Sequence, residues 1–248
     1  MLKACLNGAR RPGDLPSLPV GPAELAADVA AVAAAGVDAA HLHVKDAEGV
    51  DTLDGSALAE VLAAVREAAP GLPIGVTTGA WAQPDPVRRA AAIRSWGHLP
   101  VLPDFASVNW HEEGADEVAG TLLELGIGVE AGVWHPAGAR AWLASPHGHR
   151  CVRVLLELPD GLSEAEVHRE ADQLVRLVSP DQRDGGEERP LLLHGEGASA
   201  WPALRLAGRL GLSTRVGLED VLVLPDGSPA ADNVDLVRAA RQLLPPAR

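Results

Sequence analysis

The segment 41–46 (HLHVKD) carries the residue types best suited to chemistry in this chain. It ends an apolar run that predicts a β-strand following an alanine-rich helix. Side chains alternate faces along a strand, so His41 and His43 point the same way, about 7 Å apart along the chain. Two converging imidazoles suit a divalent metal, most naturally zinc. Because such a pair is also common as surface or core histidines, a third ligand is needed before a metal site can be inferred.

Composition limits the classes of function. The chain has 248 residues, of which 47% are hydrophobic and 22% charged, as expected for a globular protein with a large core. The sequence shows no signal-peptide pattern and no apolar stretch near the ~18–20 residues of a membrane span, which predicts a cytoplasmic protein. Its cysteines, Cys5 and Cys151, are too few for a disulfide framework. The net charge of −13 argues against nucleic acid or an anionic membrane as partner.

Short apolar runs alternate with amphipathic segments rich in alanine and leucine. The predicted strands cover 2–6, 39–43, 73–77, 105–108, 126–130, 152–157, 190–194 and 214–217. The predicted helices cover 22–35, 54–68, 84–96, 113–125, 136–145, 163–178, 200–210 and 231–244. Eight strand-then-helix units predict an α/β fold, a single-domain (β/α)8 TIM barrel over residues 1–248. A doubly wound sheet is the competing fold, but the GxGxxG turn typical of it is missing from the sequence.

Polar residues cluster where the predicted strands end. In a barrel, the loops after the strand carboxyl ends build the active site. The clusters include 7–10 (NGAR), 77–79 (TTG), Asn109, Glu130, Glu157, 194–196 (HGE) and 215–220 (RVGLED). The segment 180–189, with adjacent glycines and several charges, predicts a mobile surface loop.

Glu219 is the strongest candidate for the third metal ligand. In a closed barrel, strand eight neighbours strand one, and strand two flanks strand one on its other side. A carboxylate after strand eight can therefore meet His41 and His43 above strand one. Two imidazoles and one carboxylate leave a coordination position for substrate, as in catalytic zinc sites. Taken alone, Glu219 and Asp220 would indicate only a solvated acidic turn.

With these residues the sequence resembles the β-keto acid cleavage enzymes, which include 3-keto-5-aminohexanoate cleavage enzyme. The resemblance rests on segments 7–9, 15–24, 35–46, 77–79, Asn109 and 215–220, which follow the family order across most of the chain. The combination of H-x-H-[VI]-[RK]-[DE] with R-x-G-[LF]-E-D is specific. The resemblance implies a zinc-binding TIM barrel that condenses a β-keto acid with acetyl-CoA. The products would be acetoacetate and the CoA ester of the remaining fragment.

The resemblance also implies roles for individual residues. His41, His43 and Glu219 would bind zinc, Asp220 would be the catalytic base, and Arg215 would orient that base or the substrate carboxylate. An ion pair with Asp220 or Glu219 is the structural alternative for Arg215. Expected substrate-binding residues are Arg10, Thr77, Thr78, Gly79, Asn109 and Lys45. Residues that could support the ligands or the base from behind are Glu130, Asp46 and Glu196. For Glu130, a buried, hydrogen-bonded carboxylate with a purely structural role is the alternative.

Arg10 departs from the family pattern in a way that bears on the substrate. It stands where the aminohexanoate enzyme has an acidic residue that contacts the substrate amine. A cation at this position predicts a substrate with an anionic or neutral tail. The resemblance further implies a homo-oligomer, a tetramer in related enzymes.

Three other functions remain compatible with the sequence. The first is a metal-dependent hydrolase of amidohydrolase type, for which His135 and His194 are the candidate additional ligands. The second is a metal-dependent aldolase, which would release a free aldehyde. The third is a non-enzymatic barrel that binds a keto acid or a CoA ester.

Overall fold

The computed structural model describes residues 1–179 and 189–245. The predicted mobile loop at 180–189 therefore lies outside the described residues, except for Arg189. The strands are Leu2–Cys5 (β1), Ala39–Leu42 (β2), Ile74–Thr77 (β3), Phe105–Asn109 (β4), Gly128–Val133 (β5), Arg153–Leu158 (β6), Leu191–Gly195 (β7) and Thr214–Val216 (β8). The helices are Pro22–Ala34 (α1), Gly55–Ala68 (α2), Pro86–Ser95 (α3), Ala115–Glu124 (α4), Pro136–Ala144 (α5), Glu164–Val178 (α6), Ala200–Leu210 (α7) and Asn233–Leu243 (α8).

The strands form one parallel sheet that curls into a barrel. Their order is β7-β6-β5-β4-β3-β2-β1-β8. The two ends of the sheet meet at a parallel bridge between Leu192 and Ser213. β1 pairs with β2 on one side, where Cys5 lies opposite His41, and with β8 on the other. The predicted (β/α)8 barrel is confirmed, and the ends of β2 and β8 flank β1.

Local sequence signals account for several helix starts. α1 begins at Pro22, whose fixed φ suits the first helical position. Ser163 caps α6 and forms a reciprocal capping box with Glu166. Asp232 caps α8 by accepting a hydrogen bond from the backbone N–H of Asp235. Each cap satisfies N–H groups that would otherwise lack a partner at a helix amino terminus.

The main core lies between the barrel and the surrounding helices. Leu25 and Val29 of α1, Leu62 of α2 and Ile93 of α3 are fully buried in it. Complete burial of such a side chain contributes about 1.5–3 kcal/mol, so this layer is a large stabilising term. Among the described residues, no helix has the length and apolar character needed to cross a membrane.

Charged residues fill the barrel interior towards the amino-terminal ends of the strands. Lys3 Nζ lies 2.5 Å from Glu130 Oε2, and Arg153 pairs with the other oxygen of the same carboxylate. Burial opposes ionisation of Glu130, but Lys3 and Arg153 lower its pKa overall. Because β5 runs to Val133, three residues beyond the predicted end, Glu130 lies inside the strand and not after its end. Glu130 therefore pairs with these two cations and not with the zinc histidines, which agrees with the alternative of a purely structural carboxylate.

Candidate metal centre and its cavity

His41, His43 and Glu219 converge above β1. His41 lies in β2, His43 follows it directly, and Glu219 lies in the turn after β8. Glu219 Oε2 is 3.9 Å from His41 Nε2 and 3.7 Å from His43 Nε2. One ligand atom from each residue lies within 4.8 Å of the other two. Tetrahedral zinc with bonds near 2.0–2.1 Å would separate its ligands by roughly 3.3 Å, so a small inward shift closes the site.

The state of the donor atoms suits a cation. Glu219 Oε2 is buried and has no hydrogen-bond partner among the described residues. Burial, followed by the neighbouring His43, keeps the pKa of His41 well below its ordinary value. His41 is therefore a neutral imidazole, the form that binds metals. The donor set of two imidazoles and one carboxylate fits a divalent metal such as zinc.

Asn7 and Gly8 position these ligands from the end of β1. The Asn7 side chain accepts a hydrogen bond from His43 N at 2.8 Å and donates one to His43 O at 3.0 Å. Gly8 has a φ of +55°, and a Cβ there would lie 2.6 Å from Cγ of Glu219. A side chain at position 8 would thus be strained and would also displace Glu219. Asn7 therefore fixes the position of His43, which follows β2, and Gly8 leaves room for Glu219, which follows β8.

Asp51 orients the His43 ring. His43 Nδ1 lies 2.6 Å from Asp51 Oδ2, so Nδ1 carries the proton and Nε2 is free for a metal. Burial would raise the pKa of Asp51, but contacts with His43 and Lys45 lower it overall. The supporting role expected of Asp46 falls to Asp51 instead. Asp46 is exposed and accepts hydrogen bonds from backbone N–H groups of its own turn.

Arg215 links the proposed base to the metal ligands. Its Nη2 donates to Asp220 Oδ1 at 2.8 Å and to Glu219 Oε1 at 3.0 Å. His194 Nε2 lies 2.9 Å from Glu157 Oε2, and His194 Nδ1 lies 3.6 Å from Asp220 Oδ1. Burial raises the pKa of Asp220, although Arg215 opposes this rise. Burial also keeps the pKa of His194 well below its ordinary value, so His194 is neutral.

Apart from His194, these groups line a cavity of 570 Å³ at the carboxyl ends of the strands. Of the residues expected from sequence, the cavity contains His41, His43, Glu219, Asp220, Arg215, Arg10, Thr77, Asn109 and Glu196. Its other lining residues include Trp81, Trp134, Glu157 and Asp160. A second cavity, of 850 Å³, lies at the opposite end of the barrel near Met1 and Arg241. The metal trio identifies the smaller cavity as the candidate site.

Three expected substrate-binding residues do not line the cavity. Lys45 is buried, and its Nζ donates to Gly8 O at 2.9 Å and to Asp51 Oδ1 at 2.5 Å. Thr78 donates its hydroxyl proton to Ser107 O at 2.7 Å. Gly79 packs beneath the Trp81 ring. The structure therefore places Lys45, Thr78 and Gly79 behind the cavity wall, where they hold its loops together.

Arg10 and Glu196 lie on either side of the turn after β8. Arg10 Nε donates to Leu218 O at 2.5 Å, and its Nη2 donates to Glu219 O at 3.3 Å. On the other side, the residue after Glu196 donates its N–H to Asp220 O at 2.8 Å. Burial, followed by the charge of Asp220, raises the pKa of Glu196 to about 7. The carboxylate of Glu196 accepts no hydrogen bond within the described part of the chain.

Two features of the site bear on the alternative functions. His135 caps α5, its Nδ1 accepting a hydrogen bond from Gly138 N at 3.2 Å, and His194 contacts Glu157. Within residues 1–179 and 189–245, the trio of His41, His43 and Glu219 is the group found capable of holding a metal ion. The additional histidine ligands of an amidohydrolase-type site therefore do not assemble here.

A family model for the beta-keto acid cleavage enzymes matches residues 1–247. The chain belongs to this family. The match covers both halves of the motif pair, from the histidines at the end of β2 to the R-x-G-L-E-D segment at the end of β8. Among curated proteins, none matches this family member.

ObcA and a 3-dehydroquinate dehydratase share this fold at low sequence identity. A complex of ObcA with oxaloacetate aligns with a TM-score of 0.71 at 16% identity, covering 92% of this chain and 63% of ObcA. A ternary complex of ObcA with a C4-CoA adduct and oxalate aligns at 0.70 with the same identity and coverage. A type I 3-dehydroquinate dehydratase from Clostridium difficile aligns at 0.63 with 12% identity, covering 98% of this chain and 91% of the other. This family member thus spans less than two thirds of the ObcA chain.

Proposed function

We propose that this family member is a zinc-dependent enzyme that condenses a β-keto acid with acetyl-CoA, giving acetoacetate and a new acyl-CoA. The observation that carries the proposal is the shared cavity of the metal trio and Asp220, which Arg215 ties together. The ObcA complexes contain oxaloacetate, a C4-CoA adduct and oxalate. Those ligands belong to ObcA, and they favour a keto acid and a CoA ester as ligands of this related chain.

Each residue of the trio and the base has a role in this reaction. A divalent metal held by His41, His43 and Glu219 would polarise the keto group of the substrate as a Lewis acid. Asp220 would remove a proton from C2 of the keto acid as a general base. Arg215 holds Oδ1 of Asp220, while Oδ2 is buried without a partner among the described residues and can take that proton. Burial raises the pKa of Asp220, which makes its carboxylate a stronger base.

The proposed reaction breaks one carbon–carbon bond and one thioester and forms one of each, so no oxidation or reduction is needed. The C2 carbanion bonds to the acetyl carbonyl carbon and expels the CoA thiolate. The thiolate then adds to the keto carbon, and the C2–C3 bond breaks. The acyl fragment leaves as its CoA ester, and the proton held by Asp220 returns to C2 of acetoacetate. Asp220 therefore ends the cycle as it began.

The sequence predicts a keto acid with an anionic or a neutral tail. Of these two, the charges around the cavity favour the neutral tail. Two nitrogens of Arg10 are held by backbone carbonyls, so its guanidinium is fixed at the cavity wall. A fixed cation disfavours an ammonium tail. Asp160 and Glu196 line the wall at the ends of β6 and β7, and the charge of Asp160, with that of Glu196 where it is ionised, disfavours a second carboxylate. An uncharged tail with hydrogen-bonding groups suits both walls.

A product assay tests this proposal against the alternatives. The zinc-loaded protein is incubated with acetyl-CoA and a panel of β-keto acids that differ only in the tail. We expect acetoacetate and the new acyl-CoA in equal amounts, and only when both substrates are present. Product formed without acetyl-CoA would favour a hydrolase, and a free aldehyde would favour an aldolase. Keto acid binding without turnover of any panel member would favour a binding protein.

The cytoplasmic location and the homotetramer expected from the sequence stay predictions.

A further inference from the structure

Trp81 lies at the rim of the cavity that contains the candidate metal site, and it contacts both His43 and Asp51. Its side chain is 49% exposed, an unusual state for the largest apolar side chain. Its indole ring is stacked on the His43 imidazole, with 5.9 Å between ring centroids and 16° between planes. Its Nε1 donates to Asp51 Oδ2 at 2.7 Å. That oxygen is the one that lies 2.6 Å from His43 Nδ1.

The Asp51 carboxylate is held from three directions. Oδ1 accepts from Lys45 Nζ at 2.5 Å, while Oδ2 is shared between His43 Nδ1 and Trp81 Nε1. A carboxylate with donors on both oxygens cannot rotate freely, so it fixes the plane of the His43 ring. Loss of the Trp81 donor would leave Oδ2 with one partner and allow the carboxylate to turn towards Lys45.

The sequence around Trp81 allows this placement. Trp81 follows β3 by four residues, in a turn that folds back over the cavity. A Cβ on Gly79 would lie 2.2 Å from the Trp81 ring, so only glycine at position 79 leaves room for the indole. The turn thus sets the ring against His43, and exposure of the outer face is the consequence.

We propose that Trp81 is a positioning residue for the metal: through Asp51 and ring stacking, it holds His43 with Nε2 directed at the cation. The inference rests on the proposed metal site and is independent of which keto acid is turned over. Removing a partner that orients a metal-bound histidine typically costs 10–100-fold in metal affinity. Because the hydrogen bond of Trp81 reaches His43 only through Asp51, we expect a loss of metal affinity near the lower end of that range.

The test measures the Zn²⁺ dissociation constant by competition with a chromophoric chelator. The variants are Trp81→Phe, which keeps a stacking ring but lacks the N–H donor, Asp51→Asn and the double variant. We expect about 10-fold weaker binding for Trp81→Phe and at least that for Asp51→Asn. The double variant should bind no more weakly than Asp51→Asn, because residues that act through one another are not additive. Trp134→Phe is the matched control, since Trp134 also lines the cavity and donates its Nε1 to a side chain, Asn109.

Trp134→Phe should keep the wild-type Zn²⁺ affinity. The visible absorption spectrum of the Co²⁺-loaded protein should shift in Trp81→Phe, because the His43 ring is less well fixed. A Zn²⁺ dissociation constant within twofold of wild type in Trp81→Phe would overturn the proposal, whether or not the melting temperature falls. Full additivity with Asp51→Asn would overturn it as well. A wild type that binds zinc but converts no keto acid would contradict the proposed reaction and leave this test valid, whereas a wild type that binds no zinc would overturn both.

Discussion

Arg215 donates from Nη2 to Asp220 Oδ1 across 2.8 Å, in a contact that is almost fully buried. The donor comes from β8 and the acceptor from the turn that follows it. The same nitrogen lies 3.0 Å from Glu219 Oε1, so one guanidinium sets the spacing between the proposed base and a proposed metal ligand. Arginine suits this task because its planar fork keeps its charge when buried.

Replacement of Asp220 separates catalysis from metal binding. Asp220→Asn keeps the size of the side chain and an acceptor for Arg215, but its amide cannot take a proton from C2. We expect wild-type zinc content and melting temperature, with kcat lowered on the order of 10²-fold or more. The measurement is acetoacetate formation at saturating acetyl-CoA. Near-normal turnover would assign the base elsewhere, with Glu196 the next candidate in the cavity.

Exchange of charge at Arg10 tests the choice of substrate tail. A fixed cation repels an ammonium tail, so we expect a neutral-tailed keto acid to exceed 3-keto-5-aminohexanoate by at least ~10-fold in kcat/KM, or ~1.4 kcal/mol. Arg10→Glu should narrow or reverse this preference, and Arg11→Glu, an exposed neighbour, serves as control. An unchanged ranking of keto acids together with a raised KM for acetyl-CoA would show that Arg10 serves the CoA phosphates instead.

Asp28 makes part of the stability depend on pH. It lies on α1 and accepts a hydrogen bond from Asn233 at 2.6 Å, while burial raises its pKa from 3.8 to about 6. Because the folded state binds this proton more tightly than the unfolded state, stability from this group is full below about pH 4 and is lost as the pH rises through 6. Asp28→Asn should therefore raise the free energy of unfolding at pH 7.5 by on the order of 1–3 kcal/mol.

Urea denaturation of wild type and Asp28→Asn across pH 4 to 7.5 measures this effect. The difference between the two proteins should be smallest at pH 4 and grow with pH, while titrations common to both cancel. A constant difference at every pH would mean that Asp28 titrates alike in the folded and unfolded states.

The barrel could be predicted because each strand-and-helix unit has its own signals, such as Pro22 at the start of α1 and Ser163 at the start of α6. The meeting of His41 and Glu219 followed from closure alone, since a closed barrel places β2 and β8 beside β1. These are properties of local pattern and strand adjacency, which a sequence displays directly.

The residues that hold the metal ligands in place could not be predicted, because their positions depend on loop conformations and strand ends that the sequence does not display. Asp51 reaches His43 through a short hairpin closed by an antiparallel bridge between Lys45 and Asp51, and no spacing rule distinguishes it from Asp46. Glu130 was misplaced because β5 ends at Val133, three residues later than its apolar pattern suggested. Trp81 lies in an irregular turn, where no periodicity predicts the direction of a side chain. Trp134 and Asp160 follow strand ends, so the rule that found Asn109 could have found them too.

We expect His41, His43 and Glu219 to bind one divalent metal ion together. The most direct test of this expectation is the metal content, by elemental analysis, of wild type, His41→Ala and His43→Ala after loading with zinc and dialysis against buffer. We predict about one zinc per chain in wild type and loss of the metal from both variants, because two protein ligands rarely retain zinc. His135→Ala, which removes a helix cap that does not line the cavity, should keep its metal. Absence of metal from wild type, or full occupancy in both the His41 and the His43 variant, would contradict the account.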